Sequence, residues 1–229
     1  PSYFVYDAVL NRKDRALLDE NAPIPPLTFD EADELIRAGA LLVDGRSPEE
    51  FAHGHLVGAV NVGLEGRYAE FAGSIVPSDV DIVLFVDPGF ELEARNRLGR
   101  IGFDRVVGYI DDPVGVMTTH TDLTQRASRL TVPEFEARRA DIDGLQVVDV
   151  RNPGEVALGA IAGAVDIAVG QLPARLGELD PSAPTVVYCA GGYRSSVAAS
   201  LLRQAGFTDV SDLLGGFGAW LEFAHPQPA

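Results

Sequence analysis

Residues 185–199 read TVVYCAGGYRSSVAA, and this stretch gives the clearest indication of the fold class. Its first four residues favour a short buried strand, and the Ala-rich run after Arg194 favours a helix. Gly191 and Gly192 stand between them and permit unusual backbone angles and the close approach of a ligand. A strand that turns tightly into a helix is typical of α/β folds with a parallel sheet. In such sheets, ligands bind beyond the carboxyl ends of the strands.

Cys189 follows the predicted strand directly, at that carboxyl end. Successive backbone N–H groups in the turn can point inward as an anion-binding nest, and the next helix adds the partial positive charge of its N-terminus. Both features favour a thiolate, and Arg194 adds a fixed cation. The stretch therefore predicts a nucleophilic thiolate in a site built for an anion. The alternative is a buried, inert cysteine.

The chain repeats its own pattern. Asp44 and Asp149 lie in similar segments 105 residues apart, and Gly58 and Gly163 have the same spacing. A period of this length indicates a duplicated domain rather than a solenoid. We predict an N-terminal extension at residues 1–26, a first copy at 27–115, a linker at 116–129 and a second copy at 130–224.

Each copy alternates helix starts with short apolar strands. Capping boxes at Thr28–Glu31 and Thr131–Glu134 predict the first helix of each copy. Strands are predicted at 41–43, 58–62 and 82–86 in the first copy and at 147–149, 163–167 and 185–188 in the second. This alternation predicts two α/β domains, each a mostly parallel sheet flanked by helices.

The second copy resembles a rhodanese domain, the sulfurtransferase fold. The matching pieces are Val148–Arg151, Gly163–Val165, Tyr188–Ser195 and Leu214–Trp220. The resemblance implies that Cys189 is catalytic and carries a persulfide, and that Asp149 and Arg151 support the loop. It also implies that the substrate sulfur is held by the loop residues Ala190, Gly191, Gly192, Tyr193, Arg194 and Ser195.

The resemblance also implies a reaction without a metal or another cofactor. Sulfane sulfur would pass from a donor to Cys189 and then to an acceptor such as sulfite, cyanide or a thiol. Thiosulfate, sulfite and glutathione persulfide are the expected small-molecule partners. One alternative is a non-catalytic sulfur-carrier or scaffolding module. A Cys-dependent phosphatase or arsenate reductase is disfavoured, because phosphatases place five residues between Cys and Arg, whereas four separate Cys189 from Arg194.

The first copy is expected to be degenerate. Asp87 is predicted to occupy the place of the cysteine, in a loop two residues shorter, and Glu91 and Glu93 would make its mouth acidic. A metal site among these carboxylates is less expected than a solvated acidic rim. His55 is expected to fill a structural position of the family, where the second copy has Ala160.

Residues 1–12 resemble the final segment of metallo-β-lactamase-fold persulfide dioxygenases that are fused to rhodanese domains. This resemblance predicts a covalently linked upstream dioxygenase domain. The alternative is an N-terminal extension that packs on the first copy.

The composition excludes several classes of partner. The 229 residues carry a formal net charge of −16, which disfavours nucleic acid and anionic lipid. The sequence contains no signal peptide and no apolar run of the ~20 residues that a membrane helix needs. The single cysteine excludes an intrachain disulfide and a multi-cysteine metal site. We therefore expect a cytoplasmic protein.

Overall fold

Two compact units make up the chain, Pro1–Arg126 and Ala127–Ala229. The computed structural model describes residues 19–225. Each unit is built on one five-stranded sheet whose paired strands are all parallel. The predicted fold class, two α/β domains with helices flanking parallel sheets, is confirmed.

The first unit contains, in chain order, β1 (Pro26–Leu27), α1 (Phe29–Arg37), β2 (Leu41–Asp44), α2 (Pro48–His53), β3 (His55–Leu56), β4 (Val60–Asn61), α3 (Tyr68–Ile75), β5 (Ile82–Phe85), α4 (Glu91–Gly99), β6 (Val106–Ile110), α5 (Pro113–Thr119) and β7 (Thr124–Gln125). The strand order in its sheet is β1-β6-β5-β2-β4. A small antiparallel pair, β3 with β7, lies outside that sheet.

The second unit contains β8 (Ser128–Leu130), α6 (Val132–Asp141), β9 (Gln146–Asp149), α7 (Pro153–Val156), β10 (Val165–Asp166), α8 (Leu172–Arg175), β11 (Thr185–Tyr188), α9 (Tyr193–Gln204), β12 (Val210–Leu213) and α10 (Gly216–Ala224). Its strand order is β10-β9-β11-β12-β8, which repeats the order of the first unit. The duplicated sequence thus folds into the same sheet twice.

Local sequence signals place the elements around the central strands. The capping boxes form as predicted: the backbone N–H groups of Thr28 and Thr131 each donate, at 2.8 Å, to the glutamate three residues later. The central strands β5 and β11 are fully buried, as their apolar sequences require. Their carboxyl ends, and the loops that follow, therefore stand on rigid supports.

Strands β6 and β12 are not predicted by the sequence, although both lie inside their sheets. Strand β12 carries Ser211 and Asp212, which are buried but polar, and β6 contains Gly108. These residues hide the apolar pattern that identifies a strand. The edge strands β1 and β8 are also missed, because two or three residues are too few to show a period.

The first unit extends beyond the predicted bounds of the first copy at both ends. In the segment predicted as a linker, Gln125 pairs with His55, and the division between units falls after Arg126. At the other end, Arg95 donates to the backbone oxygens of Asp19 and Ala22 at 2.9 and 2.6 Å. The segment that resembles a dioxygenase terminus, residues 1–12, lies outside the described residues.

The strand register shows which residues of the loops after β5 and β11 are equivalent, and it differs from the expected equivalence. Phe85 pairs with Asp44 as Tyr188 pairs with Asp149, so Val86 is the residue equivalent to Cys189. The prediction that Asp87 takes this place is wrong. The loop is not two residues shorter either: residues 86–90 form the first loop and residues 189–192 the second, and the first copy instead has the shorter helix.

Among residues 19–225, none of the helices is long and apolar enough to span a bilayer.

Candidate active site

Cys189 lies at the carboxyl end of β11 and is almost entirely buried, with 1% of its surface exposed. The backbone N–H of Gly192 donates to its Sγ at 3.1 Å. The Sγ also lies 3.6 Å from Oγ of Ser195, whose hydroxyl donates to the carbonyl oxygen of Gly192 at 3.1 Å. The N–H of Gly192 is therefore positioned to stabilise negative charge on the sulfur.

Gly192 gives the loop its curvature. Its φ is +110°, in the region that favours glycine, and α9 begins at the next residue. This turn aims the N-terminus of a 12-residue helix toward the loop, and the partial positive charge of the helix dipole favours an anion there. Gly192 is buried, whereas Ala190 and Gly191 are exposed, so the loop has a closed floor and an open rim.

Arg194 is held by a carboxylate from another element. Its Nη1 and Nη2 donate to the two oxygens of Glu155 at 2.6 and 2.7 Å. The Arg194 hydrogen bonds lower the pKa of Glu155 to about 2. The pKa of Arg194 is raised, first by its hydrogen bonds with Glu155, while burial opposes the rise and the neighbouring Cys189 adds to it. The guanidinium thus lies between the sulfur and Glu155.

Asp149 and Arg151 form a buried pair beneath the loop. Nη2 of Arg151 donates to Asp149 at 2.6 Å and to the carbonyl oxygen of Gly159 at 2.7 Å. The guanidinium carbon lies 4.0 Å from the ring centroid of Phe217 in α10. The pair therefore joins β9, the segment after α7 and α10.

Tyr188 extends this network toward the core. Its hydroxyl accepts from the backbone N–H of Ile161 at 3.0 Å and is hydrogen-bonded to Asp149. Burial, followed by the interaction with Asp149, raises the pKa of Tyr188. The residue that precedes the cysteine is therefore fixed through its hydroxyl.

Helix α10 anchors the back of the loop. The N–H of Phe217 donates to the carbonyl oxygen of Cys189 at 2.7 Å, and the N–H of Gly218 donates to that of Ala190 at 3.2 Å. A Cβ at Gly216, whose φ is +57°, would lie 2.2 Å from the Cys189 oxygen. The close approach therefore requires glycine at this position.

Two further residues support the loop from the sheet. Arg129 in β8 pairs with the buried Asp212 of β12 at 3.2 Å. Nη2 of Arg129 would lie 3.6 Å from a Cβ at Gly192, so its guanidinium packs beside the turn. Sequence reasoning missed this pair and also missed Glu155 and Gly216. Glu155 was visible only as a helix-capping residue, and Gly216 only as part of the quoted resemblance.

The predicted loop residues differ in how directly they meet the sulfur. Gly192 and Ser195 lie against Sγ, and Arg194 is directed toward Glu155. Ala190 contributes its carbonyl oxygen to the α10 contact. Gly191 lies on the exposed rim, and Tyr193 is the first residue of α9.

The equivalent place in the first unit has a different construction. Val86 is buried where Cys189 stands, and Pro113, which has no N–H, occupies the place of Gly216. The start of α5 is capped by Asp112, which accepts from the N–H of Gly115 at 3.1 Å. The carboxylate of Glu91 accepts the N–H of Gly89, at 3.0 Å for each oxygen.

His55 is buried with 1% of its surface exposed, and its Nδ1 lies 2.8 Å from the carbonyl oxygen of Phe51. Its ring stacks on Phe51 with centroids 3.7 Å apart. These contacts are those of a packing residue. Within residues 19–225, no group of three or more His, Cys, Asp and Glu side chains is placed to hold a metal ion.

Comparison with known proteins identifies the repeated unit. Residues 28–111 and 131–223 both match the family model described as the rhodanese-like domain. A protein of Allochromatium vinosum named sulfurtransferase is 36% identical over 89 residues, which cover 39% of this chain and 83% of that protein. The thiosulfate sulfurtransferase GlpE of Pseudomonas paraeruginosa is 41% identical over 85 residues, covering 37% of this chain and 77% of that protein.

A solved structure matches across a longer part of the chain. The thiosulfate sulfurtransferase of Pseudomonas aeruginosa covers 88% of this chain and 43% of its own, at 23% identity and a TM-score of 0.40. By contrast, the two aligned relatives each match a length close to that of one domain.

Proposed function

Because the chain belongs to the rhodanese family, we propose that its second domain is a sulfurtransferase of the thiosulfate sulfurtransferase type, working through a persulfide on Cys189. The observation that carries the proposal is the position of this sulfur. It lies at the end of a buried strand, receives the N–H of Gly192 at 3.1 Å and faces the N-terminus of α9. These features favour a thiolate nucleophile.

The reaction has two displacement steps. The Cys189 thiolate attacks the sulfane sulfur of the donor and forms a new S–S bond, while the old bond to that sulfur breaks. The leaving group takes the electron pair and departs as sulfite from thiosulfate, or as a thiolate from a persulfide. An acceptor then attacks the outer sulfur of Cys189, and the restored thiolate leaves. The steps balance without an external oxidant, reductant or cofactor.

Each loop residue has a role that follows from its position. The N–H of Gly192 stabilises the thiolate when it attacks and when it leaves, and Ser195, whose hydroxyl donates to the carbonyl oxygen of Gly192, holds that residue in place. Backbone N–H groups of residues 190–195 are proposed to hold the outer, negatively charged sulfur. Asp149 and Arg151 keep β9 and α10 together beneath the loop, which fixes the position of those N–H groups.

The substrates proposed for this site are small sulfur compounds. Thiosulfate and glutathione persulfide are candidate donors, and sulfite, cyanide and thiols are candidate acceptors. The working thiol fits a reducing cytoplasm. We further propose that an upstream persulfide dioxygenase domain supplies sulfite to the site. This rests on the resemblance of residues 1–12, and it predicts that the 229-residue chain by itself consumes no oxygen.

Steady-state transfer from thiosulfate to cyanide tests the proposal. Wild-type protein should form thiocyanate, and Cys189→Ser should form none above the uncatalysed rate. Thiocyanate production by the serine variant would contradict the assignment of the nucleophile. Binding of sulfur without turnover by wild-type protein would instead support the scaffolding alternative.

The same proteins should not hydrolyse p-nitrophenyl phosphate. Only four residues separate Cys189 from Arg194, so the loop is too small to surround a phosphate, and both Nη atoms of Arg194 are already engaged with Glu155. Cysteine-dependent hydrolysis of the phosphate ester would establish phosphatase chemistry in place of sulfur transfer.

A further inference from the structure

The second unit has an unusual supply of cations. Residues 127–229 contain no lysine, and their arginines are Arg129, Arg138, Arg139, Arg151, Arg175, Arg194 and Arg203. All seven lie within the described part of the chain, and six of them form salt bridges with a carboxylate. The seventh, Arg203, donates to the carbonyl oxygen of Val210 at 2.6 Å and faces Asp212. Every cation of this unit is therefore compensated by a negative charge or a carbonyl oxygen.

The arginines beside the Cys189 loop are likewise paired with carboxylates. Three arginines lie next to it: Arg151 beneath, Arg129 beside Gly192 and Arg194 at the start of α9. Arg151 and Arg129 have their acid partners in the protein interior, where Asp149 and Asp212 are 0% and 2% exposed. Glu155 differs, because 36% of its side chain is exposed. Its negative charge is therefore in contact with solvent beside the loop.

We propose that Glu155 is a specificity-determining residue that disfavours divalent anionic sulfur donors, so that this site prefers a monovalent persulfide carried by a thiol over thiosulfate. The inference rests on the proposed function of Cys189. Glu155 neutralises Arg194 with a bidentate pair at 2.6 and 2.7 Å. An approaching dianion therefore meets a neutral pair rather than a free guanidinium, in a protein with a net charge of −16.

The charge of the donor determines which donor Glu155 disfavours more. A carboxylate repels a dianion twice as strongly as a monoanion at the same distance. Removing the charge of Glu155 should therefore raise kcat/KM more for thiosulfate than for a monovalent persulfide. A less ordered Arg194 would attract the dianion less and would lower the ratio of the two kcat/KM values, so it cannot produce the expected rise.

The experiment compares the two donors in full-length wild-type protein and in matched variants, with cyanide as the acceptor. The donors are thiosulfate and the persulfide of 2-mercaptoethanol, whose carrier has no charge. Glu155→Gln removes the charge at the loop. Glu178→Gln is the control, because Glu178 makes an equally bidentate pair with Arg175, at 2.6 Å for both contacts, outside the loop. Glu155→Asp keeps the charge and changes only the geometry of the pair.

The ratio of kcat/KM for thiosulfate to that for the persulfide should rise about threefold in Glu155→Gln. It should stay at the wild-type value in Glu178→Gln and Glu155→Asp. With wild-type protein, kcat/KM for thiosulfate should increase when salt is added, because salt screens repulsion.

An unchanged or lower ratio in Glu155→Gln would overturn the inference, as would an equal rise in Glu178→Gln. A wild-type rate with thiosulfate that falls with salt would contradict it independently of any variant. If wild-type protein transfers sulfur from neither donor, the proposed function itself fails, and the inference fails with it. The two failures are thus distinguished by the wild-type rates alone.

Discussion

The loops after β5 and β11 leave equivalent strands of the two units. Beneath both lies the same buried pair: Nη2 of Arg46 donates to Asp44 at 2.6 Å, as Nη2 of Arg151 does to Asp149. The first unit keeps this pair although it has no thiol. The Asp–Arg pair therefore maintains the fold of the loop region and does not depend on a thiol in the loop.

The two loops share the buried Asp–Arg pair beneath them but differ in the charged side chains beside them. Glu50 and Glu155 occupy equivalent capping positions, but only Glu155 faces an arginine. In the first unit, partial burial, and then the charge of Glu50, raise the pKa of Asp87. The loop after β11 is flanked by an attractive pair, Glu155 with Arg194, whereas the loop after β5 is flanked by a repulsive one, Glu50 with Asp87. The loop after β5 is therefore unsuited to an anionic sulfur.

The largest expected effect comes from moving the thiol between the loops. Val86→Cys in a Cys189→Ser background places the only thiol at the equivalent, buried position of the first unit. We expect transfer below about 1% of wild type, because this loop lacks the arginine and the α10-type anchor that surround Cys189. Thiocyanate production is the measurement. Substantial recovery of activity would show that the thiol alone distinguishes the two units.

The anchor between α10 and the loop is the next target. Gly216→Ala would place a Cβ 2.2 Å from the carbonyl oxygen of Cys189 and should push the helix away from the loop. We expect transfer to fall at least about tenfold because the N–H groups are displaced. Gly177→Ala is the control, since a Cβ there meets nothing within 4 Å. Equal activity of the two variants would remove α10 from the account.

Tyr188 offers a smaller test, because the first unit has Phe85 at this position. Tyr188→Phe leaves the buried N–H of Ile161 without its acceptor and should destabilise the second unit by about 1–2 kcal/mol. Urea unfolding followed by the fluorescence of Trp220, the only tryptophan, reports on this unit. An unchanged midpoint would show that Ile161 finds another partner.

The smallest expected effect is on the pH dependence of the stability of the fold. The pKa of Glu155 is lowered from 4.5 to about 2, so its pair with Arg194 stabilises the fold above pH 4.5 and loses this contribution as the pH falls toward 2. Glu155→Gln should therefore be slightly less stable than wild type at neutral pH, and the difference should shrink near pH 3. A gap in urea midpoint that stays constant with pH would contradict this coupling.

Local signals in the sequence predict much of the geometry of the candidate site. The strand before Cys189, the glycine turn and the helix after it are adjacent in the chain, so their pattern predicts their geometry. The partner of Arg194 is not adjacent, because Glu155 lies 39 residues away on α7. No local pattern shows that a capping glutamate also binds an arginine. The anchor from α10 depends likewise on how separate elements pack.

The error at Asp87 has a comparable cause. The apolar run 82–86 predicts a strand that ends at Val86 and so makes Asp87 the first residue after it, as Cys189 is after 185–188, whereas the strand ends at Phe85. Pairing with Asp44 fixes Phe85 as the equivalent of Tyr188, and this register information is not present in the sequence of one strand.

Intact mass after a single exposure to a sulfur donor tests the central claim most directly. Wild-type protein incubated with thiosulfate or glutathione persulfide, then freed of small molecules, should gain the mass of one sulfur atom, and cyanide should remove it. Cys189→Ser should gain none. A wild-type protein that stays unmodified with both donors, or a serine variant that gains the same mass, would contradict a persulfide on Cys189.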